Sequence, residues 1–185
     1  MLLAAFLNLT GERALVVGGG RVAARRIPAL LQAQMKVTVI APAICTEVRA
    51  QHVTLMERPY SSSDLQGIRL VLACTDHSAT NDAVAAEALR LGLLVSHAGA
   101  AERGNLRFPA VVERHGVQMA LSTGRELPML AQALRERLDA MLPATLPLEA
   151  WTQRRIQALT LGEAQRKAAL DHLRLDIRRS LGLEA

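Results

Sequence analysis

Three consecutive glycines, Gly18-Gly19-Gly20, stand between an apolar run and a stretch with helical spacing, an arrangement that can hold a phosphate. Gly18, Gly20 and Ala23 fill the G-x-G-x-x-G/A pattern. In that pattern the first glycine permits a tight turn and the second lets a pyrophosphate approach the backbone, while the small third residue lets helix and strand pack closely. The anion would sit against the free N–H groups that open the helix. Further along, Thr75-Asp76 follows the apolar run 69–74, and a small polar pair at the end of a parallel strand lies where open α/β sheets bind ligands. Asp76 could act there as a base, or Asp76 and Ser78 could cap the next helix. His97, after another apolar run, is the side-chain type that exchanges protons near neutral pH.

These residues need elements to position them. Residues 14–17 read as a buried strand and 21–33 as a helix; 36–40 make a second strand, ended by Ala41-Pro42. Many dinucleotide sites place an Asp or Glu at that point for the ribose hydroxyls. Here Ile40, Ala41 and Pro42 occupy it, so the ribose must be held by backbone or by residues elsewhere, and the usual marker of NAD against NADP is missing. Strands over 53–57, 69–74 and 93–96, a polar turn or helix start over 61–64 and a helix through 81–91 continue the alternation. The fold class expected is α/β, a Rossmann-type, doubly wound parallel sheet over roughly the first hundred residues.

The pattern then changes. Apolar runs 108–112 and 117–121 flank Glu113-Arg114-His115-Gly116, a hairpin signal, and 128–142 reads as a helix with Pro near its start and Pro143 after its end. Beyond Pro147 everything reads helical, with Thr160-Leu161-Gly162-Glu163 fitting a capping box. Leu170, Leu173, Ile177 and Leu181 share one apolar face there, which needs a partner surface from the same chain or a second copy.

Composition narrows the class. Half of the 185 residues are hydrophobic but only four are aromatic, so aliphatic packing dominates an ordinary globular core. The net charge of +5 is spread along the chain with no basic block, which leaves a nucleic-acid surface unsupported and suits an anionic small molecule. Cys45 and Cys74 lack metal-ligand spacing and suit a reducing compartment; the apolar first residues lack a basic flank, and no run is long enough to span a bilayer. The expectation is a cytoplasmic protein with no membrane partner and no metal site.

Four segments stand in one order: Val17-Gly18-Gly19-Gly20-Arg21-Val22-Ala23; Ala73-Cys74-Thr75-Asp76 with Asn81; Phe108-Pro109-Ala110; and Leu130-Ala131-Gln132-Ala133-Leu134-Arg135-Glu136-Arg137-Leu138 ending in Leu142-Pro143. Together they resemble the precorrin-2 dehydrogenase / sirohydrochlorin ferrochelatase family, the module that also forms the N-terminal part of sirohaem synthases. The resemblance covers about residues 5–145 and continues loosely into the helical tail. It implies an NAD-binding Rossmann domain (1–106), a dimerisation hairpin and helix (107–143) and a C-terminal helical domain (144–185), in a homodimer. It implies the chemistry too: precorrin-2, a tetrapyrrole with eight carboxylates, loses a hydride to NAD⁺ and a proton to give sirohydrochlorin, and some members then insert Fe²⁺. Carried over by position, Gly18, Gly20, Arg21 and Val22 line the dinucleotide phosphates, Pro42 and Ala43 approach the adenosine, and Thr75 and Asp76 border cofactor and cleft.

Two departures matter. The family's usual Asn-Val-Val-Asp run after the fifth strand reads Ser96-His97-Ala98-Gly99 here, so Gly99 stands at the Asp most associated with catalysis. A glycine offers neither proton acceptor nor metal ligand, which counts against ferrochelatase activity and makes His97 and Asp76 the candidate bases. The family's Ser-Ser-Gly-Gly-x-Ser-Pro turn is also altered, to Ser122-Thr123-Gly124-Arg125-Glu126-Leu127-Pro128, where Leu127 cannot cap as Ser would. The alternative that Gly99 supports is a catalytically silent NAD- or tetrapyrrole-binding sensor or carrier of the same fold.

Overall fold

The computed structural model describes residues 2–124 and 127–183. The chain divides into two compact units, Leu3–Phe108 and a second from Pro109 onward.

The first unit is built on β1 (Arg13–Val17), α1 (Arg21–Gln32), β2 (Lys36–Ile40), the short α2 (Thr46–Arg49), β3 (Thr54–Met56), β4 (Leu70–Ala73), α3 (Ser78–Arg90) and β5 (Leu94–His97). One-turn 3₁₀ helices at Ser62–Leu65 and Ala101–Arg103 complete it. The five strands pair in parallel in the order β3-β2-β1-β4-β5. This is the doubly wound order, with its direction reversing between β1 and β4. Alternation along β1 explains the continuous apolar run: Ala14 and Val16 pack with Ala23, Ile27 and Leu30 of α1, while Leu15 and Val17 pack with Val84, Ala85 and Ala88 of α3. Both faces are covered, so the strand needs no polar side.

Helix α1 contains Pro28, which cannot donate the bond that the Ala24 carbonyl would accept. The Gln51 side chain supplies the missing donor, its Nε2 lying 3.0 Å from Ala24 O. The sequence therefore tolerates a mid-helix proline because the Ala24 carbonyl finds a donor 27 residues further along the chain.

In the second unit β6 (Ala110–Arg114) and β7 (Val117–Leu121) form an antiparallel hairpin, followed by α4 (Pro128–Met141), α5 (Leu148–Leu159) and α6 (Glu163–Ser180). β6 starts and ends two residues later than its apolar run, β7 coincides with its own, and His115 and Gly116 alone lie between them. Both have positive φ, 51° and 76°, as a two-residue hairpin turn of the primed type requires. The expected capping box at Thr160–Glu163 does not form. Gly162 is the N-cap of α6, and the Thr160 hydroxyl donates to Gln157 O, closing the end of α5 instead. Of the apolar stripe on α6, Leu173 is buried, Leu170 and Ile177 are half-buried, and Leu181 is exposed. Arg125 and Glu126 of the altered turn before α4 lie outside the described residues.

Candidate active site

The glycine turn divides its work in a way that the motif does not show. Gly18 and Gly19 are buried, while Gly20 is exposed. Gly18 has φ +122°, and a Cβ there would lie 2.5 Å from Cys74 O at the end of β4. A Cβ on Gly19 would meet Ala43 O at 2.5 Å, in the segment after β2. That segment is tied back by Cys45 N donating to Gly19 O at 2.8 Å, and Gly18 N donates to Ile40 O at 2.9 Å. Two of the glycines thus let three strand ends converge. At Gly20 a Cβ would meet no atom within 4 Å, so the side facing it is open.

Gly20 is also the N-cap of α1, where among the described residues no side chain caps the helix and no acidic residue stands in the first turn. The first backbone N–H groups of a helix have no partner inside it. An exposed glycine in front of such groups is a surface a phosphate can approach, with the helix dipole favouring the negative charge. The residues present fit the pyrophosphate of a dinucleotide.

The other lip lies at the end of β4. Asn81 is buried on α3, and its Oδ1 accepts from Thr75 N at 2.8 Å while its Nδ2 donates to Thr75 O at 2.9 Å. The Thr75 hydroxyl lies 2.8 Å from the same Oδ1 and 3.0 Å from His77 O. Thr75 is held on every polar atom, which presents the next residue outward: the Asp76 side chain is 91% exposed, 3.7 Å from His77 Nε2. Asp76 and Ser78 do not cap α3. Its N-cap is His77, and among the described residues no side-chain bond closes it.

β5 extends one residue further than its apolar run and so contains His97, which is 5% exposed. Its Nδ1 accepts from Gly99 N at 3.2 Å and Ala100 N at 2.9 Å. Its Nε2 lies 3.0 Å from Asp82 Oδ1, so the ring proton is on Nε2 and is donated to that carboxylate. Asp82 in turn pairs with Arg103 through Oδ2. The Arg103 hydrogen bond, and after it the one from His97, holds the Asp82 carboxyl below its usual range against the opposing pull of desolvation.

These groups border one cleft of about 420 Å³. Val22 from α1, Thr75 and Asp76 from the β4 end, Asp82 from α3, and His97, Gly99 and Arg103 from β5 and the segment after it all line it. Val22, Thr75, Asp76 and His97 are therefore brought together, at the point where the strand order reverses. Pro42 and Ala43 are exposed beyond the end of β2, on the Gly19 side. Arg21 lines a separate cleft of about 360 Å³ with Ala24, Arg25 and Glu47. Glu47 is thus an acidic group near the β2 end that no strand-end pattern reveals. Asp82 and Arg103 were likewise not readable from the sequence, since a helical Asp and a loop Arg carry no spacing signal. Gly19 could have been found, as a glycine filling a position the motif leaves free.

A 3-2-1-4-5 parallel sheet with an open glycine turn at its switch point defines a dinucleotide-binding Rossmann unit. Residues 5–110 match the family described as "Putative NAD(P)-binding", and the chain belongs to it. The chain is 38% identical over 144 residues to a siroheme synthase of Ectopseudomonas mendocina, covering 76% of this chain and 31% of that protein. A siroheme synthase of Photorhabdus laumondii is 34% identical over 164 residues, 84% of this chain and 35% of its own length. The chain thus spans about a third of the curated relatives it matches. Among solved structures, the fold is similar to that of SirC, a precorrin-2 dehydrogenase, with a TM-score of 0.73, 24% identity and coverage of 93% of this chain and 89% of that one.

Proposed function

We propose that the chain is an NAD-dependent dehydrogenase that oxidises precorrin-2 to sirohydrochlorin in sirohaem synthesis, as a cytoplasmic homodimer. The observation that carries this reading is the single cleft joining the α1 N-terminus, through Val22, to the β4 and β5 ends, in a chain whose relatives include siroheme synthases. When bound, the dinucleotide supplies the hydride acceptor. The chain's part is to place it: the backbone at Gly20, Arg21 and Val22 would hold the phosphates, Gly18 keeps the turn tight against Cys74, and Pro42 and Ala43 would flank the adenosine. Thr75, immobilised by Asn81, would border the nicotinamide. Orientation of this kind can supply much of the acceleration of a hydride transfer.

The oxidation also releases a proton. Of the two candidate bases, His97 has both ring nitrogens engaged, one by two backbone N–H groups and one by Asp82. Asp76 has its carboxylate at the lip, open to water, and is the group we assign to receive the proton, with solvent as the final acceptor. Gly99 leaves no carboxylate at the family position, so the reading stops at oxidation and includes no metal insertion. The homodimer is supported by the exposed apolar side chains of α4, and the cytoplasm by two free cysteines, Cys74 being buried with its thiol pushed up to about 12 by desolvation. Among the described residues no helix is long and apolar enough to cross a membrane.

Gly99 favours a second reading, a silent NAD- or tetrapyrrole-binding sensor or carrier. Anaerobic incubation with precorrin-2 and NAD⁺, following sirohydrochlorin and NADH by absorbance, separates the two. Formation of both in equal amounts is expected; bound NAD⁺ with intact precorrin-2 would establish the sensor or carrier instead.

A further inference from the structure

We propose that Arg103 receives an anionic substituent of the substrate, and that Asp82 and His97 are positioning residues that hold it for that purpose. The inference rests on the reading that the cleft takes a polycarboxylate tetrapyrrole. Among the described residues lining the cleft, Arg103 is the one Arg or Lys, and the charged side chains beside it, Asp76 and Asp82, are anions. Among the described lining residues, a carboxylate entering the cleft therefore finds its one Arg or Lys side chain at Arg103.

The backbone that carries Arg103 is fastened on both sides. Before it, the turn at Gly99 and Ala100 is bound to His97 Nδ1, and Arg103 N donates to Ala100 O at 3.0 Å. After it, Gly104 packs so closely on β5 that a Cβ would lie 2.5 Å from Val95 O. Asn105 N and Leu106 N both donate to that same oxygen, at 3.0 and 2.9 Å. The Asn105 side chain bridges β5 again, accepting from Val95 N at 2.7 Å and donating to Leu93 O at 2.9 Å.

The side chain is fixed as well. Its Nη1 pairs with Asp82 Oδ2, and Asp82 Oδ1 is held by the buried His97. A guanidinium has five N–H donors in a planar fork that matches a carboxylate. The pair to Asp82 engages Nη1, the side chain is 55% exposed, and the residue borders the cleft. An ordinary surface ion pair would not need a buried imidazole at its far end, itself locked by two backbone N–H groups. The chain from those N–H groups through His97 and Asp82 aims a cation at the cleft and leaves donors over.

The test uses the full chain saturated with NAD⁺ and two readouts. In the first, uroporphyrin, an octacarboxylate, is titrated by absorbance. Saturable binding by wild type is expected, weakened at least tenfold by Arg103→Ala and less by Arg103→Lys. In the second, with precorrin-2, Arg103→Ala should raise KM at least tenfold while kcat stays within threefold and NAD⁺ affinity is unchanged. His97→Ala should raise KM in the same way, with little added effect in the double variant and an unaltered pH profile. Wild-type binding of uroporphyrin that Arg103→Ala fully retains would overturn the role of Arg103 while leaving the tetrapyrrole reading intact. No binding by wild type would overturn that reading and this inference together. A fall in kcat with loss of one limb of the pH profile in His97→Ala would make His97 a base and overturn its positioning role. The Arg103 variants alter a half-exposed side chain, so they decide the question even if His97→Ala does not fold.

Discussion

The two units spend similar apolar side chains to different ends. In Leu3–Phe108 the sheet is covered on both faces, and Leu15, Val16, Ile27, Val71 and Val84 lose essentially all contact with water. In the unit from Pro109 onward the buried apolar residues among those described are Val112, Ala158 and Leu173. Helix α4 has none, and its Met129 is 74% exposed. A two-stranded hairpin with a few helices lacks the strands to close a core around itself. The first unit is a finished scaffold for a site. The second displays an apolar surface, which fits the homodimer proposed above.

Equal truncations in the two units would test this contrast most sharply. Ile27→Ala, at a side chain with no exposure, is expected to cost about 3 kcal/mol, within the roughly 2–5 kcal/mol range for buried aliphatic truncations. Ile156→Ala, at a residue 49% exposed, should cost under about 0.5 kcal/mol in denaturant unfolding of the monomer. Comparable losses would erase the distinction. Next, Gly20→Asp should weaken NAD⁺ binding about 30-fold or more in a calorimetric titration while leaving the melting temperature nearly unchanged, since a Cβ there meets open space. Gly18→Ala should do the reverse and lower the melting temperature first, because its Cβ has no room and its φ is +122°. If both behave alike, the division of labour within the turn is wrong.

A smaller change is expected from Leu134→Asp on α4, which should raise the dissociation constant of the proposed homodimer about tenfold or more in sedimentation equilibrium, since burying even a neutral polar group without a partner costs roughly 1–3 kcal/mol and a carboxylate costs more. An unaltered association state would remove α4 from the interface. The smallest effect concerns pH. The Asp82 carboxyl is depressed in the folded chain, so its contribution is present above the unfolded value of about 4 and fades as pH falls through the lower folded value. Asp82→Asn should therefore flatten the acid limb of the stability curve below about pH 4 and leave the curve near pH 7 with the same slope.

The alternation of apolar runs and helical stretches named the parallel sheet, because strands buried on both faces must be apolar throughout. The glycine turn was equally legible, since its spacing follows from local backbone geometry. Helix caps were less so. The Thr160–Glu163 pattern fits a box, yet the hydroxyl closes the preceding helix, because a Thr between two helices can serve either and packing chooses. His97 shows the same limit at the site. Its type suggests a base, but the turn that follows it supplies two N–H groups and α3 supplies a carboxylate, and these engage both ring nitrogens.

What the sequence determined by itself is local: where strands and helices run, where the chain can turn only as glycine, and that Gly99 brings no carboxylate. What the tertiary structure decided is who meets whom across distance. Gln51 completes α1 at Ala24, Asn81 immobilises Thr75, and Asp82 links His97 to Arg103. Periodicity records which face of an element is buried, but it does not record which polar atom on another element will satisfy a given donor. That pairing is settled only when the sheet brings the ends of β1, β4 and β5 to one edge, because a buried polar group must find its partner among whatever the fold has placed within reach.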